Sequence, residues 1–241
     1  MSHFYPRAKE RKGGLSGLRL VLCAVLLLIL LLPAQLLLGQ TTTTHYDVGG
    51  TTLREVKNNI WGPNGVGPQD PQGRRHAGSA SLTTSYNYAY TCSSQHGQCV
   101  ITITPGSVTT SLGCEILLPN WTGYSQATPA EKQEWDRFIA ALTTHEQSHC
   151  DRYLTDANRQ AFQNAVAAAL GGQSIDINLP CPEDCSHPDS AFQEAVRSAV
   201  QNLLDNNQGV QNVLDQMEQV QQQYDTDTRH GETQGATLRD P

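Results

Sequence analysis

The residues with the clearest chemical potential are two histidines four positions apart, with a glutamate directly after the first, in His145-Glu146-Gln147-Ser148-His149. On an α-helix, positions i and i+4 lie about 40° apart around the axis and about 6 Å apart along it. Both imidazoles can therefore reach one ion, and zinc favours such nitrogen ligands. Glu146 would then be the general base, which takes a proton from the attacking water and passes it to the leaving amine.

The helix that carries these residues has a start signal of its own. Thr128 suits the N-cap, Pro129 stands at the first helical position, and Glu131 falls three residues after the cap. An apolar stripe at helical spacing continues into the two histidines, which predicts that both imidazoles face the interior. The helix is predicted to end near Leu170, before Gly171-Gly172, with or without a break on the way. The competing interpretation is that the histidines only pack in the core.

A catalytic zinc site of this kind needs a third protein ligand. The position six residues after His149, which supplies a third histidine in one class of metalloproteases, is Thr155. The sequence leaves open the later carboxylates and imidazoles Asp176, Glu183, His187, Glu194 and His230. His230 is the most attractive, because a chain end that returns to the helix would bring it close, with Asp225 or Asp227 orienting an imidazole. The alternative is a free histidine in a tail.

Residues 1–39 have the character of an export signal. Basic residues precede an unbroken apolar run at 20–32, and residues 36–38 extend it. We expect a signal peptide that is cleaved within residues 34–40. The alternative is an uncleaved membrane anchor at residues 20–38 with its N-terminus inside. The protein is thus predicted to be periplasmic or extracellular, either free or anchored to the inner membrane.

The charge of the exported part limits its partners. The formal net charge of the 241-residue chain is −7, although residues 1–39 hold five basic residues and one acid. Residues 40–241 therefore carry a clear acidic excess, which argues against nucleic acid as a partner. They suffice for a single domain. A peptide or protein substrate is the expected partner, and the oligomeric state is not predicted.

The cysteines agree with export. One of the seven lies in the apolar run, and the other six suit up to three disulfides in an oxidising compartment. Short loops closed by Cys92–Cys99 and Cys181–Cys185 are plausible pairings, which would leave Cys114–Cys150 to join the β-rich region to the helix. A zinc–thiolate site is disfavoured because no C-x-x-C pair is present.

The remaining segments predict an α+β domain. Residues 80–118 are predicted to form antiparallel strands with hairpin links. The segments before them are predicted to be a flexible lead-in at 41–44, an extended stretch at 45–48, a short helix at 51–60 and a loop at 61–78. Residues 176–179 are predicted to form a short strand. A second helical region is predicted at 189–224, with exposed glutamines and a core face of Val210, Val213, Leu214, Met217 and Val220.

These residues resemble a known family. The chain resembles the bacterial domain-of-unknown-function 922 family, whose members are described as predicted secreted zinc-dependent proteases. The resemblance covers most of residues 43–238. It rests on Tyr46 with Gly49-Gly50, Trp61-Gly62-Pro63, Leu118-Pro119 with Trp121, Trp135, His145-Glu146-x-x-His149, and Tyr224-Asp225-x-x-Thr228-x-His230-Gly231. It implies a zincin-like metallopeptidase in which an antiparallel sheet packs on the active-site helix. It also makes His230 the leading third zinc ligand.

We therefore expect an exported zinc-dependent metallopeptidase, with Zn²⁺ held by His145, His149 and His230 and with Glu146 as the catalytic base. A strand edge would receive an extended peptide. Tyr153 and Tyr224 are weak candidates for contacting the oxyanion, because each is better explained by packing. The alternative functions are a non-catalytic zincin-like envelope binding module, a structural envelope protein, and a metal-dependent amidase.

Overall fold

The structure, a computed structural model, describes residues 40–70 and 72–239. Its strands are β1 Thr41–Val48, β2 Ser79–Asn87, β3 Tyr90–Gln95, β4 Gln98–Ile103, β5 Thr109–Trp121 and β6 Ser174–Ile177. Its helices are α1 Leu53–Trp61, α2 Pro129–Tyr153, α3 Asp156–Leu170, α4 Ser190–Asp205 and α5 Gln208–Thr228. The predicted α+β class is confirmed. The predicted signal peptide or anchor at 1–39 lies outside the described residues, among which no helix is long and apolar enough to cross a membrane.

The strands form two sheets rather than the single antiparallel sheet that the sequence suggested. In the first, β5 lies between β1, which is parallel to it, and β2, which is antiparallel. The second has the order β3-β4-β6, with antiparallel pairs throughout. The prediction of a flexible lead-in at 41–44 is wrong, because these four threonines pair with β5 from Cys114 onward. Their β-branched side chains favour the extended conformation.

Helix α2 begins as predicted and ends earlier than the most extended prediction. Thr128 caps it and Glu131 completes the capping box, with proline in the first turn. The helix ends at Tyr153 because Thr155 caps a new helix, its hydroxyl accepting a hydrogen bond from the Asn158 backbone. The predicted helix to Leu170 is thus the pair α2 and α3, and the break separates the residues of the motif from α3.

The inner face of α2 packs on the first sheet through an aromatic cluster. Trp121 on β5 meets Trp135 with ring centroids 5.6 Å apart, and Trp135 meets Phe138 at the same distance. Phe138 is fully buried, so its replacement by alanine would cost about 3–5 kcal/mol. Leu142 follows on the same buried face. This packing fixes the rotation of α2 and hence the direction of every side chain further along its inner face.

One of the three suggested disulfides is confirmed and two are wrong. Cys114–Cys150 joins β5 to α2. The other bonds are Cys92–Cys185 and Cys99–Cys181, not the two short loops. In the pairing of β3 with β4, Cys99 lies opposite Ser94 and not opposite Cys92. Cys99 also pairs with Ile177 on β6, and this pairing brings Cys181, four residues after Ile177, close enough to bond with Cys99. Three disulfides are consistent with an oxidising, exported environment.

Candidate metal centre

Helix α5 lies along α2 and runs in the opposite direction. Going back along α2, Tyr153 contacts Glu218, His149 contacts Gln221, and His145 contacts Asp225. The prediction that the glutamines of α5 are all exposed is wrong for Gln221, which is 4% exposed, and the predicted core residue Val220 is 52% exposed. The buried face of α5 is therefore polar where it meets the two histidines.

Three acceptor atoms converge between the two helices. The Nε2 atoms of His145 and His149 lie 3.2 Å apart. The Oδ1 atom of Asp225 lies 3.3 Å from the first and 3.1 Å from the second. Both imidazoles are buried, and Asp225 is partly exposed. Among the described residues, these three form the one group of histidine, cysteine or acidic side chains close enough together to hold a metal ion.

The outer nitrogens of both imidazoles are held by glutamine side chains. His149 Nδ1 lies 2.7 Å from Gln221 Oε1, and His145 Nδ1 lies 2.9 Å from Gln234 Oε1. An amide oxygen only accepts, so each Nδ1 is the donor. A neutral imidazole then has its lone pair on Nε2, directed into the three-atom group. This is the outer arrangement that metal-binding histidines use.

The spacing and the electrostatics of this group fit a cation. In a tetrahedral zinc site, bonds of about 2.0–2.1 Å place the ligand atoms about 3.3 Å apart, close to the observed 3.1–3.3 Å separations. Burial raises the pKa of Asp225, but its close contacts with the two imidazoles outweigh burial and hold that pKa well below its usual range. Burial lowers the pKa of His149, and the contacts with Asp225 and Gln221 raise it on balance. The lowered pKa keeps Asp225 negatively charged, and the raised pKa of His149 favours a bound proton. Both shifts indicate that a positive charge is stabilised among the three atoms.

Tyr224 packs against both imidazoles. Its ring stacks on His145 at a centroid distance of 5.1 Å and meets His149 edge to face at 4.9 Å. The Gln234 amide donates to its hydroxyl, and Tyr153 donates its own hydroxyl to Glu218. Tyr224 thus orients the imidazoles by packing.

Glu146 is a buried carboxyl beside the histidines. It is 5% exposed. Burial raises its pKa to about 7, and the charges of the neighbouring histidines oppose the rise. It packs against the strand backbone at Gly78, where an added Cβ would lie 2.9 Å from its Oε1. A carboxyl in this state can accept a proton near neutral pH.

His230 lies beside the three-atom group and not within it. Three successive residues with positive φ, Arg229, His230 and Gly231, turn the chain back over α2 after α5 ends. The His230 Nδ1 atom lies 3.6 Å from the outer oxygen of Asp225, and its ring is half-exposed. Gly231 packs against the His145 ring at a position with no room for a Cβ. The sequence therefore placed His230 near the site, and its role as a ligand stays a prediction.

The other third-ligand candidates lie elsewhere. Exposed His187 hydrogen-bonds to Asp184, and Glu194 pairs with Arg197 on α4. Neither these two nor Asp176 and Glu183 line the cleft that contains the histidines. From the sequence, Asp225 was predicted only to orient an imidazole, and no role was predicted for Gln221 or Gln234. The usable signal was the spacing of Gln221 and Asp225, four residues apart on one helical face.

The centre opens into a cleft of about 1020 Å³. Helix α2 lines it with Leu142, His145, Glu146, His149 and Tyr153, and residues 78–82 at the start of β2 line it from the side. The other walls come from Lys57 and Trp61 of α1, from residues 68–70 and 72–77, from helix α5 and from the C-terminal segment. Strand β2 is an edge strand of its sheet, and its first residues line this cleft.

A family model described as "Bacterial protein of unknown function (DUF922)" matches residues 43–231. The chain belongs to the DUF922 family. The match contains both helices of the centre, α2 and α5, together with His230 and Gly231. No curated protein and no solved structure matches the chain significantly. DUF922 membership therefore supplies no activity, and the function has to be argued from the centre itself.

Proposed function

We propose that this DUF922 protein is an exported zinc-dependent metallopeptidase of zincin-like arrangement, acting in the periplasm or outside the cell. The observation that carries the proposal is the convergence of three acceptor atoms at zinc-ligand spacing next to a buried carboxyl. Three acceptors brought together repel one another unless a proton or a cation lies between them, and a bound cation would satisfy all three atoms at once.

The ligands that we propose are His145, His149 and Asp225. The Asp225 Oδ1 atom already approaches both Nε2 atoms, whereas His230 meets only the outer oxygen of Asp225. Two imidazoles and one carboxylate leave a fourth position for water or substrate, as in known catalytic zinc sites. His230 would then face the substrate side of the centre, and it remains the alternative third ligand.

The chain's own groups then have separate tasks. Zinc, when bound, would act as a Lewis acid that polarises the peptide carbonyl and lowers the pKa of water. Glu146 would accept the proton of the attacking water and return it to the leaving amine nitrogen. Its burial supports this task, because a carboxyl whose pKa is raised to about 7 takes and releases a proton near neutral pH. Gln221 and Gln234 keep both imidazoles in the metal-binding tautomer.

The edge strand suits a peptide better than a small molecule. Residues 78–82 line the cleft beside Glu146, and within the described part of the chain no strand pairs with the outer side of β2. An extended peptide can add to such an edge through main-chain hydrogen bonds. Its carbonyls would then pass the metal ligands in sequence.

The test is metal content and peptide hydrolysis in the same preparation. We expect about one zinc per chain and cleavage of a peptide mixture. Glu146→Gln should retain the zinc and lose hydrolysis by at least about 10²-fold, the usual contribution of a general base. The control variant Glu194→Gln removes an exposed charge on α4, and it should change neither the zinc content nor the rate of hydrolysis. Absence of zinc after incubation with the metal would overturn the proposal. Zinc binding without any cleavage would favour a non-catalytic binding module.

A further inference from the structure

The cleft differs chemically at its two ends. Helix α2 runs along its floor, so the lining order is Leu142, then the centre, then Tyr153. At the Leu142 end the lining includes apolar side chains from three separate segments, namely Trp61, Ala77, Ala236 and Leu238. Leu142 and Leu238 are almost fully buried and Trp61 is partly exposed, so this end of the cleft has a packed apolar wall, which we call the apolar recess.

The opposite end is acidic. Glu218 is exposed beside Tyr153, whose hydroxyl donates to its Oε2 at 3.1 Å. No basic side chain within the described residues forms an ion pair with Glu218. At the Leu142 end both signs of charge line the cleft: Arg74 forms an ion pair with Asp70, and Lys57, Arg229 and Glu232 are also in the lining. The Tyr153 end therefore presents a carboxylate that pairs with no basic side chain of the described residues.

The edge strand gives the cleft a direction. Gly78, just before β2, contacts Glu146, while Leu82 lies opposite Cys114, which is bonded to Cys150. Strand β2 therefore runs from the centre toward the Tyr153 end. Antiparallel pairs outnumber parallel pairs in sheets. A peptide added antiparallel to β2 has its N-terminal half near Glu218 and its C-terminal half near the apolar recess.

We propose that the substrates are extended peptides with a lysine or arginine N-terminal to the cleaved bond and an apolar residue directly C-terminal to it. Glu218 would be the residue that selects the basic side chain, and the recess beside Leu142 and Leu238 would take the apolar one. This inference rests on the proposed peptidase function. It adds the class of substrate and a specificity-determining residue outside the metal centre.

The experiment is a cleavage-site survey of a mixed peptide library with the zinc-loaded protein, using Glu146→Gln as the blank. Mass spectrometry of the products gives the residues on both sides of each cut. Two matched peptides, one with lysine and one with glutamate on the N-terminal side, then give kcat/KM ratios for three variants. Glu218→Gln removes the charge and keeps an acceptor for Tyr153. Glu218→Lys reverses the charge. Asp215→Lys reverses an exposed charge on the same helix outside the cleft.

We expect apolar residues after the cut and basic residues before it. The lysine-over-glutamate preference should fall about threefold in Glu218→Gln and about tenfold in Glu218→Lys, since each surface ion pair contributes a modest free energy. Asp215→Lys should keep it. Cleavage whose charge preference does not respond to Glu218 would overturn this inference and leave the peptidase proposal standing. No cleavage beyond the Glu146→Gln blank would overturn both.

Discussion

The two sheets are joined to their surroundings in different ways. The β3-β4-β6 sheet is tied to the 181–185 segment by Cys92–Cys185 and Cys99–Cys181, and none of these cysteines adjoins a residue of the candidate metal centre in sequence. The β1-β5-β2 sheet has a single disulfide, Cys114–Cys150, which enters α2 directly after His149. The first region thus uses cross-links to hold a small sheet and a long loop, whereas in the second the cross-link also fixes a candidate metal ligand.

The disulfides of the two sheets are expected to contribute similarly to stability but differently to function. A disulfide stabilises mainly by limiting the unfolded chain, wherever it lies. Only Cys114–Cys150 also restrains the helix on which the imidazoles are mounted. Variants in the two regions should therefore differ in zinc affinity and activity more than in stability.

Removal of an imidazole should have the largest effect on the site. His149→Ala should weaken zinc binding on the order of 10³-fold, because one of three protein ligands is lost. Competition with a coloured chelator measures the affinity. His187→Ala removes an exposed imidazole from the disulfide-linked segment and should leave it unchanged. Equal affinity in both variants would contradict the proposed centre.

A second pair of variants tests whether Asp225 or His230 is the third zinc ligand. Asp225→Ala should weaken zinc binding about 10²-fold or more, whereas His230→Ala should change it only a few-fold, because His230 lies outside the three-atom group. The same chelator competition gives both values. The reverse order would restore His230 as the ligand that the sequence predicted.

The disulfides test the comparison directly. Replacing Cys114 and Cys150 with alanine, or Cys92 and Cys185 with alanine, should lower the free energy of unfolding by about 4 kcal/mol in each case. Urea titration measures this loss. Only the first pair should also weaken zinc binding, since only that pair restrains α2 beside His149. Similar zinc affinities in the two double variants would remove the distinction between the regions.

The glutamine contacts should have a smaller effect. Gln221→Leu should weaken zinc binding about 10- to 100-fold, because His149 loses the acceptor that holds its tautomer and ring orientation. Isothermal titration with zinc is the appropriate measurement. Gln223→Leu, an exposed change on the same helix, is the control and should bind zinc normally. An unaffected Gln221→Leu would show that the outer contact is dispensable.

The smallest effect is expected at the strand backbone. Gly78→Ala should lower kcat/KM about tenfold with zinc affinity unchanged, because the new Cβ displaces the Glu146 carboxyl from its place. Peptide hydrolysis and zinc titration are measured side by side. Gly49→Ala, where an added Cβ meets nothing within 4 Å, provides the control. A loss of zinc affinity in Gly78→Ala would mean that the helix has moved and not only Glu146.

Local signals in the sequence were sufficient to predict helix α2 and its buried face. The cap at Thr128, Glu131 three residues later and the apolar stripe before His145 all act within a few turns, and each was confirmed in the structure. The same holds for His145 and His149, whose relative placement follows from helical spacing alone. The C-terminal return of the chain toward α2 was also predicted, through the block that ends at His230-Gly231.

The remaining features depend on contacts between distant residues. Helical spacing alone is compatible with burial of either Val220 or Gln221 on α5. In the structure Gln221 is buried and Val220 is exposed, because α5 packs on α2 with the Gln221 amide hydrogen-bonded to His149. The disulfide partners of Cys92 and Cys99 likewise depended on the pairing of β6 with β4. A local pattern cannot supply such choices, because the competing arrangements satisfy it equally well.

The sequence by itself determined the helix, the inward direction of its histidines and the presence of a glutamate beside them, because all of these follow from spacing along one element. The tertiary structure alone decided which side chain completes the three-atom group. Asp225 is 76 residues from His149 in sequence and meets it only through the packing of α5 on α2. Its two oxygens then separate the roles, one facing the imidazoles and the other facing His230.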